Sequence, residues 1–361
     1  MSLKDAKPKL SESQASQLIG RLFGLTVTKI RPLPSYDDQN FHVRDSEGGE
    51  YVLKIMNSVF SQNMDVIELQ THAMAWLHQN GLPAQTALPN LTGTKMSLED
   101  IDCGSGSQKY LVRLLTYLPG TTISKIACSP QMLYQVGRMA ATMDIILHKL
   151  SPPTEPGTRT PSPSPGPIVS QTQDQMEHPK LSALQRENWL WNLANLPMLE
   201  PYLQTYEGEH EKQVVKDVMK MFETQVLVNM SSFRKCINHG DFNDLNILVE
   251  PDATTGYRIT GILDFGDMSN GYYVFELAIT IMYMMIESQS PLEVGGGGVS
   301  GLGEQLPAER GGARCPLCAD KDYLMITSHK GKHHLSQLWK MGKEAVLRKW
   351  VEDAREYSDR K

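Results

Sequence analysis

Residues 238–249 read NHGDFNDLNILV, and residues 261–267 read GILDFGD. The first stretch is His-x-Asp-x-x-x-x-Asn leading into an apolar strand, and the second is an apolar strand that ends in Asp-Phe-Gly. Phosphoryl transfer needs a carboxylate beside the attacking hydroxyl, and it needs an amide oxygen and a second carboxylate that hold a cation against the phosphates. The two motifs therefore predict a phosphotransferase site, with Asp241 as the catalytic carboxylate and Asn246 and Asp264 as ligands of Mg²⁺.

The polar residues of these stretches are also the usual residues of turns, so each stretch alone is compatible with an ordinary hairpin. A motif counts only where its structural context fits. Here the apolar run 247–249 follows the first motif directly, and the run 257–263 leads back into the second. Because both motifs occur in order and with the right intervening length, we favour the catalytic interpretation.

The length and charge of the chain restrict its class. Its 361 residues suit two lobes, and its net charge of −6 argues against a nucleic-acid-binding surface. We expect a small-molecule partner and infer no protein partner. Residues 1–20 lack the apolar core of a signal peptide, and the longest apolar run, 273–286, is too short to span a bilayer. We therefore expect a cytoplasmic protein without a membrane contact.

The five cysteines of a chain without an export signal indicate reduced thiols. Cys315 and Cys318 have metal-ligand spacing, and His329, His333 and His334 follow them as possible zinc ligands. A lone C-x-x-C motif with loosely placed histidines is a weak signal, so we favour free thiols in a flexible segment.

A hairpin is predicted near the N-terminus. Residues 41–44 and 51–55 alternate in character around a polar turn that contains two glycines. Lys54 falls on the second strand, and alternation points it to the face opposite that of Leu53 and Ile55.

A helix and a strand follow this hairpin. Apolar residues recur at helix spacing over residues 66–77, with Glu68 beside the apolar face, and a strand is predicted at 109–117. The turn Leu118-Pro119-Gly120 comes next, and we place the hinge between the lobes there. This divides the chain into a nucleotide-binding lobe, residues 1–117, and a catalytic and substrate lobe, residues 118–361.

The C-terminal lobe is predicted to be mainly helical. Helical periodicity occurs in residues 132–150, 181–203, 212–228 and 332–357. Ser129 and Pro130 form a favourable start for the first of these helices. Residues 151–175 are rich in Pro and Ser, which predicts a disordered insertion, and residues 291–319 form a Gly-rich, atypical segment that we interpret as a mobile linker.

The motifs resemble those of the aminoglycoside phosphotransferase and choline kinase family, which carries His-Gly-Asp where protein kinases carry His-Arg-Asp. Stretches 31–43, 110–120 and 261–287 are similar to members that phosphorylate 5-hydroxy-L-lysine with GTP. The resemblance implies an α+β, bilobal, protein-kinase-like fold, with a small N-terminal antiparallel sheet lobe that has one helix and a larger, mainly helical C-terminal lobe. It also implies Mg²⁺ and GTP as cofactors, whereas the residues themselves leave GTP and ATP open.

The nucleotide-binding residues that the resemblance implies are Ser35, Asn40, Lys54, Glu68, Leu115 and Tyr117. The first two lie in a loop over the donor phosphates, and the last two border the purine. Lys54 contacts the phosphates, and Glu68 orients Lys54. The residues agree with this pairing, because a half-buried strand lysine needs a counter-charge that a following helix can supply.

A substrate with two ammonium groups needs anionic partners. Asp267 and Glu276 are candidates, with Asp244 behind them. Arg186 and Asn188 are candidates for binding the substrate carboxylate. Two alternatives stay open, since Glu276 would equally cap a buried helix and Arg186 would equally be a solvated helix residue.

Two other functions compete with this interpretation. One is another small-molecule kinase, acting on an aminoglycoside, choline or homoserine; a protein substrate is disfavoured because no Ala-Pro-Glu follows Asp264. The other is a catalytically inactive binding protein. The Gly-rich segment 291–319 favours that alternative, because it stands where the family has apolar helices, whereas the complete set of catalytic residues opposes it.

Overall fold

The computed structural model describes residues 6–104, 106–150, 180–187, 189, 191–205 and 208–286. Several predicted features lie outside these residues: the insertion at 151–175, Asn188, the segment 291–319, the Cys315 and Cys318 pair, and the helix at 332–357.

The N-terminal part is an antiparallel sheet with a helix on each face. Its strands are β1 (Val27–Leu33), β2 (Gln39–Asp45), β3 (Glu50–Ile55), β4 (Ser97–Asp102) and β5 (Ser107–Thr116), in the order β1-β2-β3-β5-β4. Its helices are α1 (Glu12–Phe23) and α2 (Met64–Gln79). Ser11 and Gln14 form a capping box at the start of α1, and Gly24, with φ 70°, ends that helix in the left-handed conformation.

Alternation along the strands separates two faces of this sheet. One face packs apolar side chains against α1: Phe41, Val43, Leu53, Ile55, Tyr110, Val112 and Leu114. The other face carries two rows that cross β2, β3 and β5. The first row is Asn40, Lys54 and Arg113, and the second is His42, Val52 and Leu115. The predicted hairpin and the predicted orientation of Lys54 are thus confirmed.

The chain leaves this sheet after Thr116 and enters a second sheet at Thr121. That sheet consists of β6 (Thr121–Thr122), β8 (Ile247–Asp252) and β9 (Gly256–Ile262), and a third sheet pairs β7 (Lys235–Asn238) with β10 (Ser269–Tyr272). The helices of this part are α3 (Pro130–His148), α4 (Glu209–Met221) and α5 (Tyr273–Ile286). Ser129 caps α3 by accepting a hydrogen bond from Met132 N at 3.2 Å, as its sequence predicts.

The prediction of a regular helix over residues 181–203 is wrong. The described residues form 3-10 turns at Leu181–Leu184 and Leu193–Thr205 instead. Pro197 and Pro201 explain the difference, because proline has no N–H to donate within a helix and its ring clashes with the preceding turn. Among the described residues, no helix is long and apolar enough to cross a membrane.

Candidate active site

The catalytic loop joins β7 to β8 and holds the Asp241 carboxylate between two asparagine amides. Asn243 Nδ2 donates to Asp241 Oδ1 at 2.7 Å, and Asn246 Nδ2 donates to Asp241 Oδ2 at 2.9 Å. A second bond from Asn246 Nδ2 reaches the Asp241 carbonyl oxygen at 2.9 Å. Because the Asn246 amide nitrogen faces Asp241, its amide oxygen faces away and can bind a cation.

A glycine lets this loop pass close to the second motif. Gly240 has φ 83°, and a Cβ atom there would lie 2.6 Å from the Asp267 carbonyl oxygen. Any other residue would be strained by the backbone conformation and would collide with Asp267. The glycine of the first motif therefore brings the catalytic loop close to residues 264–268, the predicted metal-binding loop.

The His239 side chain connects these two loops through hydrogen bonds. Its side chain is fully buried, and its Nε2 lies 2.9 Å from the Leu263 carbonyl oxygen, to which it donates. Its Nδ1 accepts from Asp241 N at 3.3 Å. Burial lowers the pKa of His239 to about 4, against the opposing effect of the Leu263 carbonyl. The ring is thus neutral at pH 7 and has a structural role.

Asp264 occupies a backbone conformation that is rare for its residue type. Its φ is 54°, in the left-handed region, and it is the only residue other than glycine with a positive φ among the described ranges. Its Oδ1 accepts from Gly266 N at 3.3 Å, and half of its side chain is exposed. The neighbouring Lys54 ammonium lowers the pKa of this carboxyl group. An exposed carboxylate held in a strained conformation is suited to bind a cation.

Glu276 lies beneath the catalytic loop. It is fully buried, and its Oε2 accepts a hydrogen bond from Gly240 N at 3.2 Å. Burial raises the pKa of Glu276 to about 7. The buried side chain thus supports the catalytic loop from the protein interior, which favours the structural alternative, and the assignment of Glu276 to a substrate ammonium stays a prediction.

A second buried acid, Asp144 on α3, lies near Glu276. Burial, and then the negative charge of Glu276, raise the pKa of Asp144 well above its ordinary value. Asp144 Oδ1 and Glu276 Oε1 are both buried without a hydrogen-bond partner in the described part of the chain. Two carboxyl groups in such surroundings favour the protonated form.

Lys54 lies between two carboxylates in the cleft. Its Nζ is 2.9 Å from Asp38 Oδ2 and 3.4 Å from Asp264 Oδ1. Burial acts to lower the pKa of Lys54, and the charges of Asp264 and Asp38 outweigh that effect and raise it. Lys54 is thus charged and is placed beside a predicted metal ligand.

Glu68 does not pair with Lys54, which corrects the sequence prediction. Glu68 Oε2 lies 2.6 Å from Lys180 Nζ, and 43% of its side chain is exposed. The physical reason is the rotation of α2, which buries Gln70 towards the cleft and directs Glu68 to the rim. Sequence reasoning missed Asp38, which lies two residues before Asn40, the cross-strand partner of Lys54, and is adjacent to a second aspartate, Asp37.

The loop before β2 is fixed from the N-terminal side. Lys7 Nζ donates to the carbonyl oxygens of Ser35 and Tyr36 at 2.8 and 2.7 Å. Asn40 Oδ1 is buried without a hydrogen-bond partner in the described part of the chain, in the row that contains Lys54. An unsatisfied acceptor at this place can accept a hydrogen bond from a ligand.

The predicted purine-binding residues lie at the end of β5. Leu115 is buried, and the ring of Tyr117 lies 4.4 Å from that of His42. His42 and Val52 share a row with Leu115, so the sheet forms an apolar and aromatic layer here. Burial, and then the charge of Arg31, lower the pKa of His42, which keeps its ring neutral. Sequence reasoning missed His42.

The metal-binding loop is held by donors from two elements. Gln70 Nε2 on α2 and Arg186 Nη1 donate to the Gly266 carbonyl oxygen at 3.0 and 2.9 Å. Arg186 also donates to the Met268 carbonyl oxygen at 3.0 Å, and its guanidinium group stacks 3.5 Å above the Trp189 ring. Burial lowers the pKa of Arg186 to about 10, against the charge of Asp267.

These contacts answer the remaining substrate predictions in part. Arg186 donates to backbone carbonyl oxygens, so it is not a solvated helix residue, and its assignment to the substrate carboxylate stays a prediction. Asp267 lies where the two loops meet and is half-buried, and Asp244 is buried behind the catalytic loop.

The donor atoms in the cleft fit Mg²⁺. This cation prefers oxygen ligands and usually takes only one or two protein carboxylates, with substrate phosphates and water completing its coordination. Asn246 provides an amide oxygen, and Asp264 provides a half-exposed carboxylate. Within the described ranges, no group of three or more His, Cys, Asp or Glu side chains forms a metal cluster of its own.

Comparisons with known proteins agree with this chemistry. The model of the Phosphotransferase enzyme family matches residues 29–310. The hydroxylysine kinase of Danio rerio is 51% identical over 378 residues, which cover 99% of each chain. The hydroxylysine kinase of Mus musculus is 41% identical over 388 residues, which cover 99% of this chain and 96% of that protein.

Solved structures are similar in fold. A microcompartment-associated aminopropanol kinase aligns with TM-score 0.58 at 14% identity, covering 95% of this chain and 98% of its own. An amicoumacin kinase, solved in complex with AMP-PNP, Ca²⁺ and Ami, aligns with TM-score 0.57 at 13% identity, covering 93% of this chain and 94% of its own. The predicted α+β, protein-kinase-like fold is thereby confirmed, except that the N-terminal part has two helices, α1 and α2, where one was predicted.

Proposed function

The chain belongs to the phosphotransferase enzyme family, and from that premise we propose that it transfers the γ-phosphate of GTP to the hydroxyl group of 5-hydroxy-L-lysine. The observation that carries the proposal is the Asp241 carboxylate, fixed by two asparagine amides beside Asp264 and Lys54. This arrangement has each group that phosphoryl transfer requires.

Each residue has a stated role in the reaction. Asp241 accepts the proton of the acceptor hydroxyl, or orients that hydroxyl, as the oxygen attacks the γ-phosphate. Lys54 binds the donor phosphates, and Asn246 and Asp264 would hold Mg²⁺. When bound, the cation neutralises charge on the transferred phosphoryl group. Ser35, in the loop before β2, and Asn40, near the start of β2, cover the phosphates.

The substrate assignment rests on the relatives. Two proteins named hydroxylysine kinase share 51% and 41% of their residues with this chain over nearly its full length. Asp267 is the acid that we assign to a substrate ammonium, because it is half-buried where the catalytic and metal-binding loops meet. Asn188 remains assigned to the substrate carboxylate as a proposal.

The donor assignment is GTP. Leu115, Tyr117 and His42 support a purine site at the end of β5, where backbone groups read the base. We also propose that the lobes divide between residues 117 and 118, which is supported by the change of sheet between Thr116 and Thr121. We place the enzyme in the cytoplasm.

A phosphotransfer assay tests the proposal. The acceptors are hydroxylysine, lysine, homoserine, choline and an aminoglycoside, each with GTP and ATP and with Mg²⁺ present. We expect turnover of hydroxylysine with GTP and none of lysine, which lacks the hydroxyl group. Preferred turnover of choline or the aminoglycoside would reject the substrate and retain the kinase. Absence of turnover from folded protein would favour the inactive binding protein.

A further inference from the structure

Asp38 is a buried carboxylate for which the reaction described above has no use. It lies in the loop before β2, is 8% exposed, and places Oδ2 2.9 Å from Lys54 Nζ. Its Oδ1 accepts from Asn57 N at 2.9 Å, just beyond the end of β3. Both oxygens are therefore engaged by groups on or beside the strand that carries Lys54.

Glu68, the α2 acid that the sequence predicted as the partner of Lys54, pairs with Lys180 instead. Lys180 Nζ lies 2.6 Å from Glu68 Oε2 and 2.8 Å from Asp65 Oδ1, so it joins two acids of α2 at the rim of the cleft. Asp38 and Asp264 are the carboxylates within 4 Å of Lys54 among the described residues.

The charges around Lys54 are balanced only when Asp38 is counted. Arg113 is the cross-strand neighbour of Lys54, is buried, and donates to Thr71 Oγ1 at 3.0 Å. Burial lowers the pKa of Arg113, which the charges of Asp38 and Asp264 oppose. The cleft thus has two buried cations opposite two carboxylates. Loss of the Asp38 charge would leave Asp264 as the single counter-ion of both.

We propose that Asp38 is the positioning residue of Lys54, and that it keeps Asp264 available for the metal ion. With Asp38 present, Lys54 retains a carboxylate partner when Asp264 binds Mg²⁺. Without it, Lys54 and the cation compete for the Asp264 carboxylate. The inference rests on the proposed phosphotransferase function, and it needs neither the acceptor nor the choice of purine to be correct.

The loop gives this contact a second consequence. Asp38 lies in the loop that contains Ser35 and leads into Asn40 of β2, so the segment that we assign to the donor phosphates also contacts the lysine that we assign to them.

The decisive experiment compares Asp38→Asn with Glu68→Gln, since both replace an acid by its amide. Binding of Mg·GTP and Mg·ATP is measured by calorimetry over a range of Mg²⁺ concentrations, without any acceptor. We expect Asp38→Asn to raise the Mg²⁺ concentration for half-maximal binding about tenfold, because one partner of a buried ion pair is lost. Glu68→Gln should change it less than about twofold, as expected for an exposed pair.

Two further variants separate a local effect from a loss of folding. Asp100→Asn is the matched control, because Asp100 also pairs with a lysine of the same sheet but is 63% exposed. Lys54→Met removes the cation, so Asp38→Asn added to Lys54→Met should no longer alter the Mg²⁺ dependence. That double variant also removes the buried unpaired charge, which keeps the test usable if Asp38→Asn alone folds poorly.

Three results would overturn the proposal. The first is an equal or larger effect of Glu68→Gln on Mg²⁺ dependence. The second is an Asp38→Asn protein with a lower melting temperature and unchanged Mg²⁺ dependence. The third is an additive effect of the two substitutions in the double variant. Nucleotide binding with no transfer to hydroxylysine would reject the substrate and leave the role of Asp38 standing.

Discussion

Two regions of the active site, the surroundings of Lys54 and the interior beneath the catalytic loop, neutralise their buried charged groups in different ways. Around Lys54, two cations face two carboxylates, and Asp264 remains half exposed. Beneath the catalytic loop, Asp144 and Glu276 are two acids buried together, and the pKa of each is raised. The first group can exchange partners when ligands arrive, whereas the second is kept close to neutral by protonation.

The difference matches what each region has to do. Donor phosphates and a cation must displace existing partners of Lys54 and Asp264, so these groups need to stay charged. The catalytic loop instead needs a fixed shape, which Glu276 and His239 provide through hydrogen bonds to Gly240 N and the Leu263 carbonyl oxygen. We therefore expect substitutions to affect ligand exchange in the first region and geometry or stability in the second.

The largest effect is expected at Asp241, which lies where the two regions meet. Asp241→Asn keeps the shape of the side chain and removes the proton acceptor, so kcat should fall by roughly 10²–10⁴-fold. Donor affinity should stay within about twofold, because the phosphates bind to other residues. Steady-state kinetics and calorimetry give the two quantities. A kcat near that of the unchanged enzyme would remove Asp241 from the reaction.

The second largest effect, on metal-dependent nucleotide binding, is expected at Asp264, beside Lys54. Asp264→Ala removes a cation ligand and one counter-ion of Lys54, so the increase in nucleotide affinity that Mg²⁺ causes should disappear. Calorimetry with Mg²⁺ and with a chelator measures this difference. Asp100→Asn serves as the control and should retain the full response. A metal-dependent affinity that survives in Asp264→Ala would show that the cation is held elsewhere.

A smaller effect is expected at Arg186, which donates to two backbone carbonyl oxygens of the metal-binding loop. Arg186→Met removes the donors to the Gly266 and Met268 carbonyl oxygens while it retains much of the apolar stem over Trp189. We expect kcat to fall about tenfold, since a misplaced loop is costly for orientation. The KM for the acceptor should change little. A rise in acceptor KM at constant kcat would instead support the original assignment of Arg186 to the substrate carboxylate.

The sequence predicted the parts of the site that are contiguous in the chain. Asp241, Asn246 and Asp264 belong to short motifs whose loops fix their mutual positions, and simple alternation placed Lys54 on the cleft face. The turn at Gly240 was visible as part of the motif, although its reason, the close approach of Asp267, appeared only in the structure.

The pairings across the cleft could not be predicted, because they depend on how elements are rotated and packed. Glu68 and Gln70 are two positions apart on α2, which is about 200° around the helix axis. These two positions lie on nearly opposite sides of the helix, so the rotation of α2 that directs Gln70 to the Gly266 carbonyl oxygen turns Glu68 away from Lys54. Likewise, Asp37 and Asp38 are adjacent polar residues of one loop, and no sequence pattern indicates which is buried.

The smallest effect is expected for the buried acids beneath the catalytic loop, where Asp144→Asn should change the pH dependence of stability. The folded protein holds the Asp144 proton to a higher pH than the unfolded chain does, because burial and Glu276 raise the pKa. Stability should therefore fall as pH rises from about 4 through the raised folded-state pKa, because in that range the unfolded chain has already released its proton.

Asparagine does not titrate, so the Asp144→Asn variant should lose less stability than the unchanged protein between pH 5 and pH 8. We expect the difference in stability loss to have this sign, because only the unchanged protein can lose the Asp144 proton over this range. Urea unfolding at the two pH values measures it, with Asp100→Asn as an exposed control that should follow the unchanged protein. Equal losses in all three proteins would mean that Asp144 is not kept protonated by the fold, and the contrast between the two regions of the active site would fail.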